Sequence, residues 1–378
     1  MEEKTHLAFY TKHGITPVTY DMQDLRAHLE RRGSLYRSLG LNTLAIRGAD
    51  VLEVAAGTGQ NSLYVAACAP RSLTLVEPNP SGLKQLRELY AKSPVTGVTP
   101  EIVDQRLEHF SPKTLFDVVI CENWLGRAAH EIALLRKLAT FVRPGGVLVV
   151  TALSPIGLVP NIVRRGLAAR LAAPYKSFAD QTACLTAVFA PHLATMSAMT
   201  RSPTDWVQDN MLNPAYFDLA VSIPQQMDAL GKEFEILGTN PVFAQDWRWF
   251  KALHGGGRAF NEQVLGEYWR HGHNFFDYRE RWEPRDLSAN RELDQLALAL
   301  IDDVRALGAS ATAQPEIEQV IDRLAAIIAN VSTFSRDGAN ALREASHALS
   351  NEPQAECPLF RGLFGRETLY ASYLRVGD

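Results

Sequence analysis

Four short apolar runs stand at near-regular intervals in the first half of the chain: DVLEVAA (50–56), SLTLVE (72–77), FDVVICE (116–122) and GVLVVTA (146–152). They are rich in Val, Leu and Ile and do not alternate with polar residues. Strands buried on both faces have this pattern, which implies a parallel sheet covered by helices. Helical segments lie between the runs, including PSGLKQLRELYAK (80–92) and HEIALLRKLATFV (130–142), the second stopped by Arg143-Pro144-Gly145-Gly146. A weaker run, PEIVD (100–104), keeps the alternation. The expected fold is a doubly wound α/β sheet.

The flanks read differently. Residues 1–48 suggest helices around MQDLRAHLE and SLYRSLG, and 156–230 has helical composition with several prolines. FEILGTNPVF (234–243) and WRWFKAL (247–253) suggest two strands that turn through Asn240-Pro241 and close the sheet as an antiparallel edge. Gly255-Gly256-Gly257 offers a boundary. Beyond it, Leu293, Leu296, Leu300, Val304 and Leu307 recur at helical spacing, with Ser288 placed to cap and Gly308 to stop. Ile317, Val320, Ile321, Leu324, Ile328 and Val331 form a second stripe, and Ala339 to Leu349 a third helix. The expected organisation is a helical cap over 1–48, a cofactor-binding domain over 49–255 with a helical insertion at about 156–230, and a C-terminal helical region over 256–378. Those last stripes suit core packing or a homodimer.

Composition narrows the partners. The 378 residues carry 38 Lys plus Arg against 42 Asp plus Glu, a formal charge of −4. Affinity for a phosphate backbone comes from clustered positive charge, so no nucleic-acid partner is expected. The longest apolar stretch, 146–160, is interrupted by Gly, Ser and two prolines. It falls short of the ~20 residues a membrane span needs, so no membrane partner is expected either. The start, MEEKTHLAFYTKHG, lacks a basic segment followed by an apolar one, which points to a soluble, cytoplasmic protein. The cysteines at 68, 121, 184 and 357 form no CxxC pair, and His271 and His273 read as surface histidines, so no metal is expected.

The segment that carries chemistry is VLEVAAGTGQNS (51–62), which leaves a strand and opens a helix. Gly57 and Gly59 let backbone N–H groups approach a ligand where a Cβ obstructs. Twenty residues past Gly57, at the end of the next strand, Glu77 is placed to accept from both hydroxyls of a ribose. The combination implies a nucleoside-containing cofactor. A dinucleotide reading takes 57–62 as GxGxxG with Ser62 in the last position. Against it stands Glu53, an anion inside a loop that has to receive a pyrophosphate; the ammonium and sulfonium groups of S-adenosylmethionine suit that carboxylate better.

The segment resembles motif I of class I S-adenosylmethionine-dependent methyltransferases, whose pattern is acidic–apolar–Gly–x–Gly–x–Gly. By that resemblance Glu53 is the acidic position, Ala55 stands where the first glycine is expected, and Gly57 and Gly59 are the other two. Glu77 matches the ribose-binding acid, and Asp104, ending IVD, matches the polar residue beside the adenine amino group. FDVVICENWLG (116–126) matches the fourth-strand motif, and RPGGVLVV (143–150) the approach to the fifth strand. The 234–253 pair resembles the family's reversed sixth and seventh strands. The resemblance implies S-adenosylmethionine held by Glu53, Ala55, Gly57, Gly59, Glu77, Asp104 and Asn123. It implies methyl transfer to an O or N of a small-molecule acceptor, with Glu122 and His130 as candidate catalytic groups: Glu122 to orient a substrate amine or act as a general base, His130 as a base.

Tyr10, His13 and Trp124 are further candidates for ligand contact. The clusters Trp206, Asp209, Asn210, Asn213 and Asp246, Trp247, Trp249 suit either a pocket or packing. Asn213-Pro214-Ala215-Tyr216 reads as a proline turn. Two other functions share the same pocket residues: a non-methylating use of S-adenosylmethionine, by attack within the molecule or transfer of its aminocarboxypropyl arm, and a non-catalytic assembly role.

Overall fold

The computed structural model of the chain describes residues 6–16, 22–92, 97–126, 129–218, 221–309, 313–353 and 356–377. The apolar runs become strands β1 (Asp50–Val54), β2 (Ser72–Val76), β4 (Phe116–Cys121) and β5 (Val142–Leu153), with the short β3 (Glu101–Val103) at one side. Together with β6 (Phe234–Asn240) and β7 (Thr368–Arg375) they form a seven-stranded sheet in the order β3-β2-β1-β4-β5-β7-β6. β1 lies parallel to both β2 and β4, pairing Val51 with Leu73 and with Val118. Val51, Leu52, Leu75, Val76, Val119, Ile120 and Leu148 are all fully buried, as unalternated apolar strands require. From β1 the chain winds first to one side and then, with β4, to the other. The loops leaving β1 and β4 therefore diverge and open a crevice at the carboxyl ends of the strands.

One face is covered by the helix Leu25–Ser38, which starts where Asp24 accepts from the Ala27 N–H at 2.9 Å. It is one continuous helix through both segments that suggested helices. Tyr36 on it packs against Tyr64, with ring centroids 5.2 Å apart.

The antiparallel edge differs from expectation. Segment 247–253 forms no strand: only Phe250–Ala252 makes a 3-10 turn. Arg248 folds the segment on itself, binding the Asp246 carboxylate and the Gly257 carbonyl. Trp247, Trp249 and Phe250 are left 88%, 65% and 68% exposed. The partner of β6 is instead β7, antiparallel, with Thr239 opposite Ala371. Its alternate residues Leu369, Ala371 and Tyr373 are buried, so its period-2 pattern suits a sheet as 247–253 does not.

By contacts the chain divides into two compact units that interleave in sequence. One comprises Met1–Ala152, Asp218–Tyr268 and Thr368–Asp378; the other comprises Leu153–Phe217 and Trp269–Glu367. The Gly255–Gly257 run is a 3-10 turn inside the first unit rather than a division between them. The region 256–378 is helical as expected up to Arg361, but it ends in β7.

The second unit is built around the helix Pro155–Ala172, with Leu287–Ala309, Gln314–Val331 and Arg336–Ser350. Ser288 does not cap: its N–H donates to Asp286 Oδ1 at 2.7 Å, and the helix runs on through Gly308. His273 is not on the surface but fully buried, its ring nitrogens 3.0 Å from the Glu283 carbonyl and 3.2 Å from Asn290 Nδ2. Burial holds that imidazole down, at about 4. The cluster around Asn213 is structural as well. Arg165 donates to the carbonyls of Asn210 and Asn213, and Arg201 pairs with Asp209 at 2.6 Å. Among the described residues no group of three or more His, Cys, Asp or Glu is placed to hold a metal ion, and no helix is long and apolar enough to cross a membrane.

Candidate functional site

The site begins where β1 stops. Ala55, Gly57 and Gly59 all take left-handed backbone angles, with φ of +60°, +58° and +76°. That geometry folds the chain back on itself and turns successive N–H groups off the strand axis. The Gly57 N–H donates to Glu77 Oε2 and the Asn79 N–H to Oε1, each at 2.7 Å, so the loop is anchored to the end of β2. The two glycines serve different ends. A Cβ on Gly57 meets nothing within 4 Å, whereas one on Gly59 overlaps Leu86 Cδ1 of the helix Pro80–Lys92. Gly82 on that helix brings it close to the loop: a Cβ there lies 3.2 Å from the Gly57 carbonyl oxygen.

A cleft of about 1350 Å³, counted out to its open mouth, lies against this loop. Glu53 of β1, Ala55 and Gly57 from the loop after it, Glu77 just past β2, and Glu122 and Asn123 just past β4 all line it. His130, Glu131 and Leu134 of the helix Ala129–Thr140 form another part of the wall, with Trp124 and, from the N-terminal helix His6–His13, His6, Leu7 and Tyr10. Two expected residues do not reach it. Gly59 faces Leu86, and Asp104 is exposed beside Pro80, Leu83 and Lys84; the next two residues, Gln105 and Arg106, take the wall instead. His13 does not line the cleft either, and its imidazole is held down by partial burial.

Behind the cleft sits a cluster that the sequence does not reveal. Arg32 of the helix Leu25–Ser38 pairs with Glu122 Oε1 at 2.6 Å, their side chains only 8% and 7% exposed. Tyr36, one turn later, donates its hydroxyl to the same oxygen at 3.1 Å. Glu122 Oε2 is buried with no hydrogen-bond partner. Glu53 shares the neighbourhood: burial first, and then the nearby Glu122 charge, push its carboxyl up to about 7. Burial also raises Glu77, against the lowering effect of its two backbone hydrogen bonds. Beyond β4, Asn123 takes a left-handed φ of +55° and donates its N–H to Thr151 Oγ1 at 2.7 Å, which fixes the turn that carries Glu122 and Trp124. Arg32 and Tyr36 lie on the buried face of a helix far from any motif. Their only trace in the sequence is a cation and a phenol one turn apart.

Residues 51–146 match a family described as a methyltransferase domain. These residues are similar to a methyltransferase domain, and that similarity implies S-adenosylmethionine as the cofactor. The matched range runs from β1 to the start of β5 and so contains the glycine loop, Glu77 and Glu122. No curated protein matches the chain. Among solved structures, the N-methyltransferase NodS of Bradyrhizobium japonicum WM9, in complex with S-adenosylhomocysteine, is 18% identical, with a TM-score of 0.31 over 38% of this chain and 73% of that one. The CcbJ methyltransferase of Streptomyces caelestis is 21% identical, with a TM-score of 0.31 over 41% and 60%. Magnesium protoporphyrin IX methyltransferase of Synechocystis PCC 6803, with bound S-adenosylhomocysteine, is 18% identical, with a TM-score of 0.32 over 40% and 72%.

The residues of the methyltransferase domain fit that cofactor. An open, left-handed Gly57, with nothing within 4 Å of where a Cβ would stand, leaves room for a ligand against the backbone of the cleft wall. Two buried carboxyls, Glu53 and Glu122, share one close guanidinium, Arg32, and a cationic ligand answers the surplus negative charge.

Proposed function

We propose that the chain transfers the methyl group of S-adenosylmethionine to an oxygen or nitrogen of a small molecule. The observation that carries this reading is the two-part wall of a single cleft at the point where strand order reverses. One part is the glycine loop with Glu53 and Glu77. The other, with Tyr10, Leu7, Trp124, His130 and Leu134, is mainly aromatic and apolar with a few polar groups, the usual make-up of a small-molecule site.

When bound, the cofactor supplies a methyl carbon already activated by a positively charged sulfur. The protein is left to bind, align and exclude water. Glu53 presents its carboxyl to the positive end. Each Glu77 oxygen already takes one backbone N–H and retains a second acceptor site for a ribose hydroxyl. Ala55 and Gly57 shape the floor, and Asn123 holds the turn after β4. Trp124 and Leu134 keep water from the acceptor end. Glu122 and His130 are the groups there that can take a proton from the acceptor.

Calorimetry with S-adenosylmethionine and S-adenosylhomocysteine tests the first half of this reading, and the absence of binding by both overturns it. Product analysis tests the second half. S-adenosylhomocysteine is the expected by-product, whereas methylthioadenosine signals transfer of the aminocarboxypropyl arm or attack within the cofactor.

A further inference from the structure

Five carboxylate side chains line the cleft, those of Glu53, Glu77, Glu108, Glu122 and Glu131, and Arg106 is the arginine among its lining residues. Glu77 is occupied by the glycine loop and Asn79, and Glu53 lies beside the loop in which the cofactor is proposed to sit. Glu122 differs from both. Its Oε1 accepts from Arg32 at 2.6 Å and from the Tyr36 hydroxyl at 3.1 Å. Its Oε2 is buried and meets no donor. A buried carboxylate oxygen left without a hydrogen bond carries an uncompensated desolvation cost, and a site that binds a ligand recovers this when the ligand brings the donor. The residue stands at the cleft wall directly before Asn123 and Trp124, at the carboxyl end of β4.

We propose that the acceptor is a primary or secondary amine, held by an N–H donated to Glu122 Oε2. The inference rests on the methyltransferase reading and narrows it from oxygen or nitrogen to nitrogen. Several features of the wall select for an amine. A carboxylate or phenolate acceptor meets a wall of like charge, which costs binding energy. A neutral alcohol has an O–H to offer but gains nothing from that charge. An amine arrives as an ammonium drawn by the carboxylates and donates in the direction in which Oε2 lacks a partner. The same oxygen can then take the surplus proton: the N–H bond breaks, an O–H bond forms on Glu122, and the nitrogen keeps the electron pair as its lone pair. Arg32 and Tyr36 act through Glu122 as positioning residues.

The test uses the full chain saturated with S-adenosylhomocysteine and three probes of one shape: benzylamine, benzyl alcohol and benzoate. Calorimetry is expected to show benzylamine bound at least tenfold more tightly than benzyl alcohol, and benzoate weakest. In Glu122→Gln, that preference for benzylamine is expected to fall to less than threefold. Equal binding of the three probes, tighter binding of the alcohol or benzoate, no binding of any of them, or a preference that survives in Glu122→Gln overturns the proposal. If Glu122→Gln fails to fold, because Arg32 is then buried without its partner, the comparison of probes on the unaltered protein decides alone. Failure of the unaltered chain to bind S-adenosylhomocysteine is a separate result: it overturns the cofactor reading itself, and this proposal with it.

Discussion

At the scale of single residues, the loop after β1 gives its two glycines separate jobs. Gly57 and Gly59 are both left-handed, so any side chain there costs about 1–2 kcal/mol in backbone energy. Gly57→Ala is expected to cost about that much and to weaken S-adenosylhomocysteine binding at least tenfold, because its methyl takes up the open space against the backbone of the cleft wall. Gly59→Ala adds a clash with the fully buried Leu86, and overpacking adds a further 1–3 kcal/mol or so. Its main effect is expected in urea unfolding, and equal losses of stability from the two substitutions run against this division. Glu53 carries a second prediction. Its carboxyl stands at about 7 in the folded chain against an ordinary 4.5, raised by burial and then by Glu122. Between those values the folded protein holds a proton that the unfolded chain releases. Stability therefore falls as pH rises through that window, by up to about 1.4 kcal/mol per pH unit from this group. A cationic ligand favours the ionised carboxyl, so S-adenosylmethionine affinity is expected to rise from pH 5 to 7 and level off above. Calorimetry across that range reads the slope, and Glu53→Gln is expected to flatten it; a slope unchanged in the variant removes Glu53 as its cause.

At the scale of elements, the helix Leu25–Ser38 does more than cover the sheet: it carries Arg32 to Glu122. Removing one partner of a buried ion pair strands the other, at about 3–5 kcal/mol. Arg32→Met is expected to destabilise by that order in urea unfolding. The double variant Arg32→Met with Glu122→Gln is expected to regain most of the loss, since it leaves no buried charge alone. If the double variant is no better than the single one, the pair is not the source of the cost. This contact was not legible in the sequence, because Arg32 and Glu122 lie 90 positions apart and only the tertiary fold joins them. The glycine loop, Glu77 and the order of the first five strands were legible, because each rests on a local pattern: an apolar run, a turn, a fixed interval. Asp104 shows the limit of the interval argument. The end of β3 lies where the resemblance puts it, but the residues that reach the cleft are the next two, Gln105 and Arg106. The aromatic segment 247–253 has strand-like composition and no strand, since Arg248 ties it to Asp246 and Gly257 within its own loop.

At the scale of the whole molecule, the last strand to be made sits inside the sheet. β7 lies between β5 and β6, so the first unit completes its sheet only with residues that follow the whole of Trp269–Glu367 in sequence. Its attachments are numerous. Ser372 Oγ donates to the Leu39 carbonyl at 2.7 Å and Tyr373 OH to Gln226 Oε1 at 3.0 Å, while Gln226 Nε2 donates to the Thr151 carbonyl of β5 at 2.6 Å. Leu369 and Tyr373 are fully buried, and losing two such side chains forfeits about 3–6 kcal/mol before any hydrogen bond is counted. A domain's entire stability is about 5–15 kcal/mol. The loss also leaves β6 without its partner and β5 with an open edge, both templates for pairing with other chains. A chain ending at Glu367 is therefore expected to be insoluble or to lack cooperative unfolding, and to bind no S-adenosylhomocysteine, although it keeps every residue of the cleft. Tyr373→Ala, a graded version of the same cut, is expected to lower stability by about 3 kcal/mol while leaving a folded protein that still binds. A soluble truncated chain with full affinity for S-adenosylhomocysteine shows instead that five parallel strands suffice to hold the site. In that case β7 serves only to close the sheet's far edge.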